Sequence, residues 1–277
     1  MSAAPGGLLV CPTPIGNLED VTLRVLSALR SADVVVCEDT RRTRVLLDRY
    51  GVSARLVSYH EHNERRRAAE LVERMRAGET VALVSDAGMP LVSDPGYVLV
   101  QACVEAGLAV EVLPGPSAAI AALVASALPA DRWRFLGFLP RKKGELKSLL
   151  SSGSDGTLVA FESPRRVPAT LSVLASVDPD RPVAVCRELT KAHEEVVRGT
   201  AAELARRYAD ASPRGEVVLV IGTPAASDGP SGADPAAVDA LRRLVDAGAQ
   251  PRKAAAVVAS LTDSSANELY RAMTGGD

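Results

Sequence analysis

The sequence predicts an α/β protein: two α/β domains with mostly parallel sheets, followed by a small helical module at the C-terminal end. Three observations predict it. Short β-rich runs recur along the chain: "GLLVC", "DVVVC", "TVALVS", "AVEVL", "TLVAF", "PVAVC" and "GEVVLVI". Their residues are continuously apolar rather than alternating, as in strands buried on both faces. Amphipathic helical stretches lie between many of them, and strand-helix alternation is the pattern of parallel α/β units.

In chain order, the first strand (7–11) runs into "PTPIGNLED", Pro12 to Asp20, and a helical stretch from Leu18 to Ser31. A strand at 33–37, a helix from Glu64 to Ala77, a strand at 80–85, a helix from Asp94 to Ala106 and a strand at 109–113 follow. The turn "LPGPSAA", Leu113 to Ala119, marks a boundary, so the first domain spans 1–115 and the second 116–223. The second carries strands at 157–161, 182–186 and 215–221 and a helix from Pro164 to Ser176. Residues 224–235, "PAASDGPSGADP", have the composition of a flexible linker. Within the module 236–277, Ala236 to Met273 read as three short helices with tight turns, either a unit the size of a helix-turn-helix module or a helical tail packed on the body.

The 277 residues are 47% apolar and 24% charged with a net charge of −2, so the chain is no general polyanion binder and any basic surface is local. Aromatics at 3% argue against the base-stacking platforms of single-strand binders. Cys11, Cys37, Cys103 and Cys186 form no C-x-x-C pair and read as buried, reduced thiols. The N-terminal residues have neither a charged region nor a long apolar one, and no apolar run reaches membrane-spanning length. A cytoplasmic protein with no membrane and no DNA partner is expected.

The chemistry concentrates in loops at the carboxyl ends of strands, where open α/β sheets bind ligands. No dinucleotide-binding or P-loop glycine motif occurs. The stretch "VALVSDAGMPLVSDPGY" holds Asp86 and Asp94, and no Lys or Arg lies between Thr80 and Gln101. Such a loop repels phosphate and suits a cationic ligand with hydroxyls or amines; S-adenosylmethionine has these features. Asp86 is the expected ligand-binding acid. Asp94-Pro95 reads as a helix cap with proline at the first helical position, and Pro116-Ser117 and Ser163-Pro164 as similar starts.

The motifs "PTPIGNLED", "CEDTRRTRVLL", "YHEHNE", "VSDAGMPLVSDPGY", "LPGPSA", "GFLPRKKGE", "FESPRR" and "RELTKAHEE" occur in one order. Together they closely resemble the small-subunit (16S) ribosomal RNA cytidine 2'-O-methyltransferase I family, of the tetrapyrrole methylase-like superfamily. The likeness spans Leu8 to about Gly222 and extends more loosely into the C-terminal helices. It implies a class III methyltransferase fold, a homodimer, and S-adenosyl-L-methionine in the cleft between two domains. It also implies a cofactor site of Pro12, Thr13, Asp86, Ala87, Gly88, Met89, Ser117, Ala118, Phe161 and Leu189. Met89 stands where Thr is common in the family, and Arg166 where His is common.

Arg41, Arg42, Arg141, Lys142, Lys143 and Arg165 lie inside these motifs, in expected loops or helix starts. They read as phosphate contacts that position the RNA partner without reading its bases. Arg65 to Arg67 read instead as a solvated helix face. His60 and His62, two apart, would share one face of a strand. A metal site there lacks a third ligand, so His60, Glu61 and Asn63 are expected at the RNA entrance.

Attack of a ribose 2'-hydroxyl on a sulfonium methyl needs chiefly positioning, which supplies up to ~7–11 kcal/mol. A base or cation near the hydroxyl would help. Candidates are Glu38, Asp39, Glu162, Lys191 and Glu194, with Glu38 and Glu162 first because each ends an expected strand. The rival readings are a methyltransferase acting on a tetrapyrrole or other small molecule, and a non-catalytic RNA-binding assembly factor.

Overall fold

The computed structural model describes residues 6–151, 156–224, 234–262, 264 and 266–274. The described residues fall into two compact units, divided between Thr223 and Pro224.

The first unit opens with five strands, β1 (Gly7–Cys11), β2 (Val34–Cys37), β3 (Leu56–Ser58), β4 (Val81–Val84) and β5 (Ala109–Val112). They form one sheet of order β3-β2-β4-β1-β5 in which every neighbouring pair is parallel. The crossovers are α1 (Leu23–Ser31), α2 (Thr40–Arg49), α3 (Glu64–Arg76) and α4 (Tyr97–Glu105). Side chains alternate across each strand, so Val34, Val36, Leu8 and Leu83 join one buried cluster and Val35, Cys37, Cys11 and Val84 another. Continuous apolar runs are what this two-sided burial requires. The expected helix from Leu18 to Ser31 is a 3-10 turn, Leu18–Asp20, and then α1, whose first turn is capped by the Thr22 hydroxyl accepting from the Val25 N–H at 3.1 Å.

The chain then passes through α5 (Ala118–Ser126) into a second sheet of β6 (Trp133–Phe138), β7 (Thr157–Glu162), β8 (Pro182–Arg187), β9 (Glu195–Thr200) and β10 (Val217–Ile221). Here the expectation of mostly parallel strands fails. In the order β6-β7-β10-β8-β9 only β6 and β7 are parallel; the other neighbours are antiparallel. Apolar runs report burial on both faces, and burial is blind to strand direction. α6 (Lys143–Ser151), α7 (Val167–Val177) and α8 (Ala201–Arg207) cover one face, and α5 packs on the other. Ile15, from the loop after β1, inserts into that second cluster beside Ala119, Leu123, Cys186 and Leu189.

Gly16 makes this approach possible: a Cβ there would lie 2.5 Å from the Lys191 side chain and 2.9 Å from the Leu189 carbonyl oxygen. The Asn17 N–H donates to the Thr190 hydroxyl at 3.0 Å across the same contact.

The described residues of the second unit form three helices, α9 (Pro235–Asp246), α10 (Pro251–Ser260) and α11 (Ala266–Thr274), around Val238, Leu241, Ala255, Val258 and Leu269. Residues 225–233 of the expected linker lie outside the described residues.

All four cysteines are free and buried, three of them in β1, β2 and β8 as the apolar runs indicate. Burial raises the Cys11 thiol to about 12, helped by the Glu111 charge, and burial raises Cys103 to about 11. These are inert packing groups. No helix among the described residues is long and apolar enough to cross a membrane.

Candidate functional site

In the first sheet the chain leaves β1 toward β2 on one side and returns through β4, β1's own neighbour, to β5 on the other. The carboxyl ends of β1 and β4 therefore flank a topological switch point, the usual ligand position of such sheets. The two loops there are stitched together. Thr13 and Gly88 exchange backbone hydrogen bonds of 2.9 Å each, and the Thr13 hydroxyl donates to the Ser85 carbonyl at 3.0 Å. Pro12 packs where a side chain on Gly115 would stand. Pro12 and Thr13 thus shape the wall from behind.

Between this loop, the start of α5 and the second sheet lies a mainly apolar cavity of about 360 Å³. Of the expected cofactor residues, Ala87, Gly88, Met89, Ser117, Ala118, Phe161 and Leu189 line it. Ser163 and Pro164, at one of the strand-to-helix turns singled out in the sequence, line it as well, and so does Phe138, which was not foreseen. The Phe138 ring is an outward-facing residue on an edge strand, set edge-on to Phe161 with centroids 5.6 Å apart. Among the described residues no Lys or Arg lines the cavity, and the charged ones that do are Asp94, Glu162 and Glu216.

A larger polar groove of about 1140 Å³ adjoins it, lined by the β2–α2 and β4–α4 turns and the turn before α3. Glu38, Asp39, Glu61, Glu64, Asp86 and Asp94 face Arg41 and Arg42 there, with His60, His62 and Tyr97. Ser93 and Asp94 line both spaces.

Residues 7–205 match the tetrapyrrole (corrin/porphyrin) methylases. The Ribosomal RNA small subunit methyltransferase I of Mesorhizobium japonicum is 45% identical over 268 residues, covering 95% of this chain and 90% of its own. The protein of that name from Micromonospora olivasterospora is 44% identical over 272 residues, covering 97% and 86%. The chain belongs to the ribosomal RNA small subunit methyltransferase I family. Solved structures with the same fold include the uroporphyrin-III C-methyltransferase of Thermus thermophilus complexed with S-adenosyl homocysteine. Its TM-score is 0.55 at 21% identity, covering 78% of this chain and 97% of that one. A conserved hypothetical protein of Aeropyrum pernix gives 0.61 at 23%, covering 79% and 85%.

Within this methyltransferase family fold, several expected roles change. Asp86 does not point its carboxylate freely into the ligand space. Its Oδ1 accepts the Asp39 N–H at 3.0 Å, and Oδ2 lies 3.5 Å from Arg42. Asp94 is not the cap of α4, which begins at Tyr97 behind Gly96 at φ 139°, a conformation open only to glycine. The Asp94 carboxyl has no hydrogen bond or ion pair among the described residues. It is raised to about 6, first by burial and then by the charges of Glu38 and Asp86.

Glu162 is buried and engaged: the Ser163 N–H and the Thr170 hydroxyl each donate to it at 2.7 Å, and Arg166 stands 3.4 Å away. Lys191 pairs with Glu188 at 2.9 Å and Glu216 at 3.0 Å. Burial opposes its charge, but these bonds outweigh that effect and hold its pKa above the usual lysine value, the wrong direction for a base. Glu194 accepts the Thr190 N–H at 2.6 Å. Asp39 grips Arg41 through both oxygens, which holds its carboxyl well below the usual range. Glu38 remains exposed in the groove.

Among the expected RNA residues, Arg41 and Arg42 are met by Asp39 and Asp86. His60 and His62 lie in a turn rather than a strand, their rings 5.8 Å apart, and Asn63 closes that turn by accepting the His60 N–H at 3.0 Å. Arg141, Lys142, Lys143 and Arg165 are exposed. Arg166 donates to the Leu139 and Pro140 carbonyls, tying the turn that carries Arg165 to the one that carries Arg141 to Lys143. Arg66 and Arg67 pair with Glu70 on the outer face of α3.

Proposed function

We propose that this protein transfers a methyl group from S-adenosyl-L-methionine to the ribose 2'-hydroxyl of a cytidine in small-subunit (16S) ribosomal RNA. The observation that carries it is the pairing of two spaces. One is a cavity of about 360 Å³, within the ~300–1,000 Å³ typical of small-molecule sites, with carboxylates but no cation among the described residues of its lining. The other is a polar groove opening beside it. The names of the relatives add the RNA substrate.

The lining fits the cofactor. With no Lys or Arg among the described residues that line it, the cavity disfavours phosphate and admits a sulfonium and an ammonium. Ala87, Gly88, Met89, Ser117, Ala118, Phe161 and Leu189 would hold it, with Pro12 and Thr13 fixing the loop behind them. Asp86 contributes through the start of α2. When bound, the cofactor supplies an activated methyl on a good leaving group. The chain's part is to orient the ribose and hold the proton balance. Arg141, Lys142, Lys143 and Arg165 would grip phosphates at the rim.

The division into domains 1–115 and 116–223, a linker at 224–235 and a helical module at 236–277 is part of this reading, supported by a separate buried core for each sheet. So are a homodimer and a cytoplasmic location. Incubation with labelled S-adenosyl-L-methionine and undermodified small subunits tests the function: label at a ribose 2'-oxygen of the RNA is expected. Label in a small molecule instead, or none, overturns it.

A further inference from the structure

We infer that Asp94 is the catalytic residue that accepts the proton of the attacking ribose hydroxyl. The inference rests on the methyl-transfer reading above and adds to it the identity of the base.

The placement is the first reason. A methyl group held in the apolar cavity and a ribose held in the groove can meet only at the wall common to both. Ser93 and Asp94 form that wall, and Asp94 alone of the two carries a group basic enough to take a proton. The second reason is availability. Asp86, Asp39, Glu162 and Glu194 are each bound to a backbone N–H or a side-chain partner, Lys191 is held in its charged form, and Glu38 lines the groove but not the cavity. Asp94 has no hydrogen bond or ion pair among the described residues. The third is the backbone. Leu91 and Ser93 both adopt left-handed conformations, φ 72° and 68°, which non-glycine residues hold only where the surroundings enforce them.

In the step itself the 2'-oxygen forms its bond to the methyl carbon as the carbon–sulfur bond breaks, the electron pair leaving with sulfur. The hydroxyl proton passes to a carboxylate oxygen of Asp94 and then to solvent through the groove. Burial and the neighbouring charges of Glu38 and Asp86 raise the Asp94 carboxyl to about 6, near the working pH, where a general base is most effective. The other charged groups around it are Arg42 beside Asp86, the His60–His62 turn, and Glu162 and Glu216 across the cavity.

The test compares the protein with Asp94→Asn, using undermodified small subunits and single-turnover rates from pH 5 to 8.5. Calorimetry with S-adenosylhomocysteine and a carbon-13 titration of the ligand-free protein accompany it. The variant is expected to bind S-adenosylhomocysteine and subunits within about 3-fold of the parent, yet to transfer methyl about 100-fold or more slowly. The parent rate should fall about tenfold per pH unit below pH 6, and that acid limb should vanish in the variant. One carboxyl signal titrating near pH 6 should be missing from the Asp94→Asn spectrum. A variant as fast as the parent, one that keeps the acid limb, or one that loses cofactor affinity in proportion to rate overturns the assignment to Asp94. A parent that labels no RNA overturns the reading beneath it.

Discussion

The carboxylate of Asp86 accepts the backbone N–H of Asp39 at 3.0 Å, a bond between residues 47 positions apart. It joins the loop after β4 to the start of α2, and Asp39 in turn caps α2 by accepting the Arg41 N–H at 2.8 Å. Two neighbouring parallel strands thus have their carboxyl-end loops fixed to each other beside the ligand space.

Replacing Asp86 by Ala removes this tie and leaves Arg42 without its partner. A hydrogen bond to a charged group contributes about 2 kcal/mol, so Asp86→Ala should lower unfolding free energy by about that amount in urea titrations. Its affinity for S-adenosylhomocysteine should fall less than about tenfold. A larger loss of affinity at unchanged stability would return Asp86 to direct cofactor contact.

Thr170→Val tests Glu162 as a structural group. The hydroxyl donates to a carboxylate whose side chain is fully shielded from solvent, and the isosteric valine removes only that bond. Stability should drop by about 2 kcal/mol, with cofactor affinity unchanged. The measurement is chemical denaturation beside calorimetry.

These two acids mark where sequence reading stopped. Of the strands that were read, β1, β2, β4, β7, β8 and β10 are all interior to their sheets, and their apolar runs follow from burial on both faces; β5, also read, is an edge. The unread strands β3, β6 and β9 are all sheet edges, with exposed or half-exposed residues such as Arg134, Arg198 and Ser58. Edge strands need no continuous apolar run. Within the site, the motif residues around Gly88, Ser117, Phe161 and Leu189 were legible by resemblance. The division of labour between Asp86 and Asp94 was not. The Asp-Pro pair matches a local capping pattern, whereas the real helix start depends on Gly96, and the real partner of Asp86 comes from the neighbouring strand's loop.

Replacing Arg141, Lys142 and Lys143 together by Ala should weaken binding to small-subunit RNA and reduce the slope of log affinity against log salt by about 2–3. All three are exposed, and Lys142 makes a surface pair with Glu145 at 3.0 Å. Stability should change little, since exposed pairs contribute ~0–1 kcal/mol. Filter binding at several salt concentrations reads the slope. An unchanged slope would mean that the RNA backbone passes elsewhere.

Asp94→Asn should make the protein more stable at neutral pH. The Asp94 carboxyl is raised from 3.8 to about 6 in the folded chain, by burial first and by the Glu38 and Asp86 charges next. The folded state therefore holds a proton that the unfolded chain has already released. Below about pH 4 the group is protonated in both states and costs nothing. Between about pH 4 and 6 ionisation increasingly opposes folding, and above about pH 6 the cost is constant. A two-unit shift corresponds to about 3 kcal/mol, and solvent screening at a half-buried site reduces this to about 1–2 kcal/mol. The neutral amide of Asn avoids the cost. Thermal and urea unfolding at pH 7.5 should therefore favour the variant by that margin, and the margin should close as the pH is lowered to 4. A variant less stable than the parent at pH 7.5 would mean that the Asp94 carboxylate has a stabilising partner. The expected gain pairs with the expected loss of methyl transfer, as when a charge is kept at a site that folding alone would neutralise.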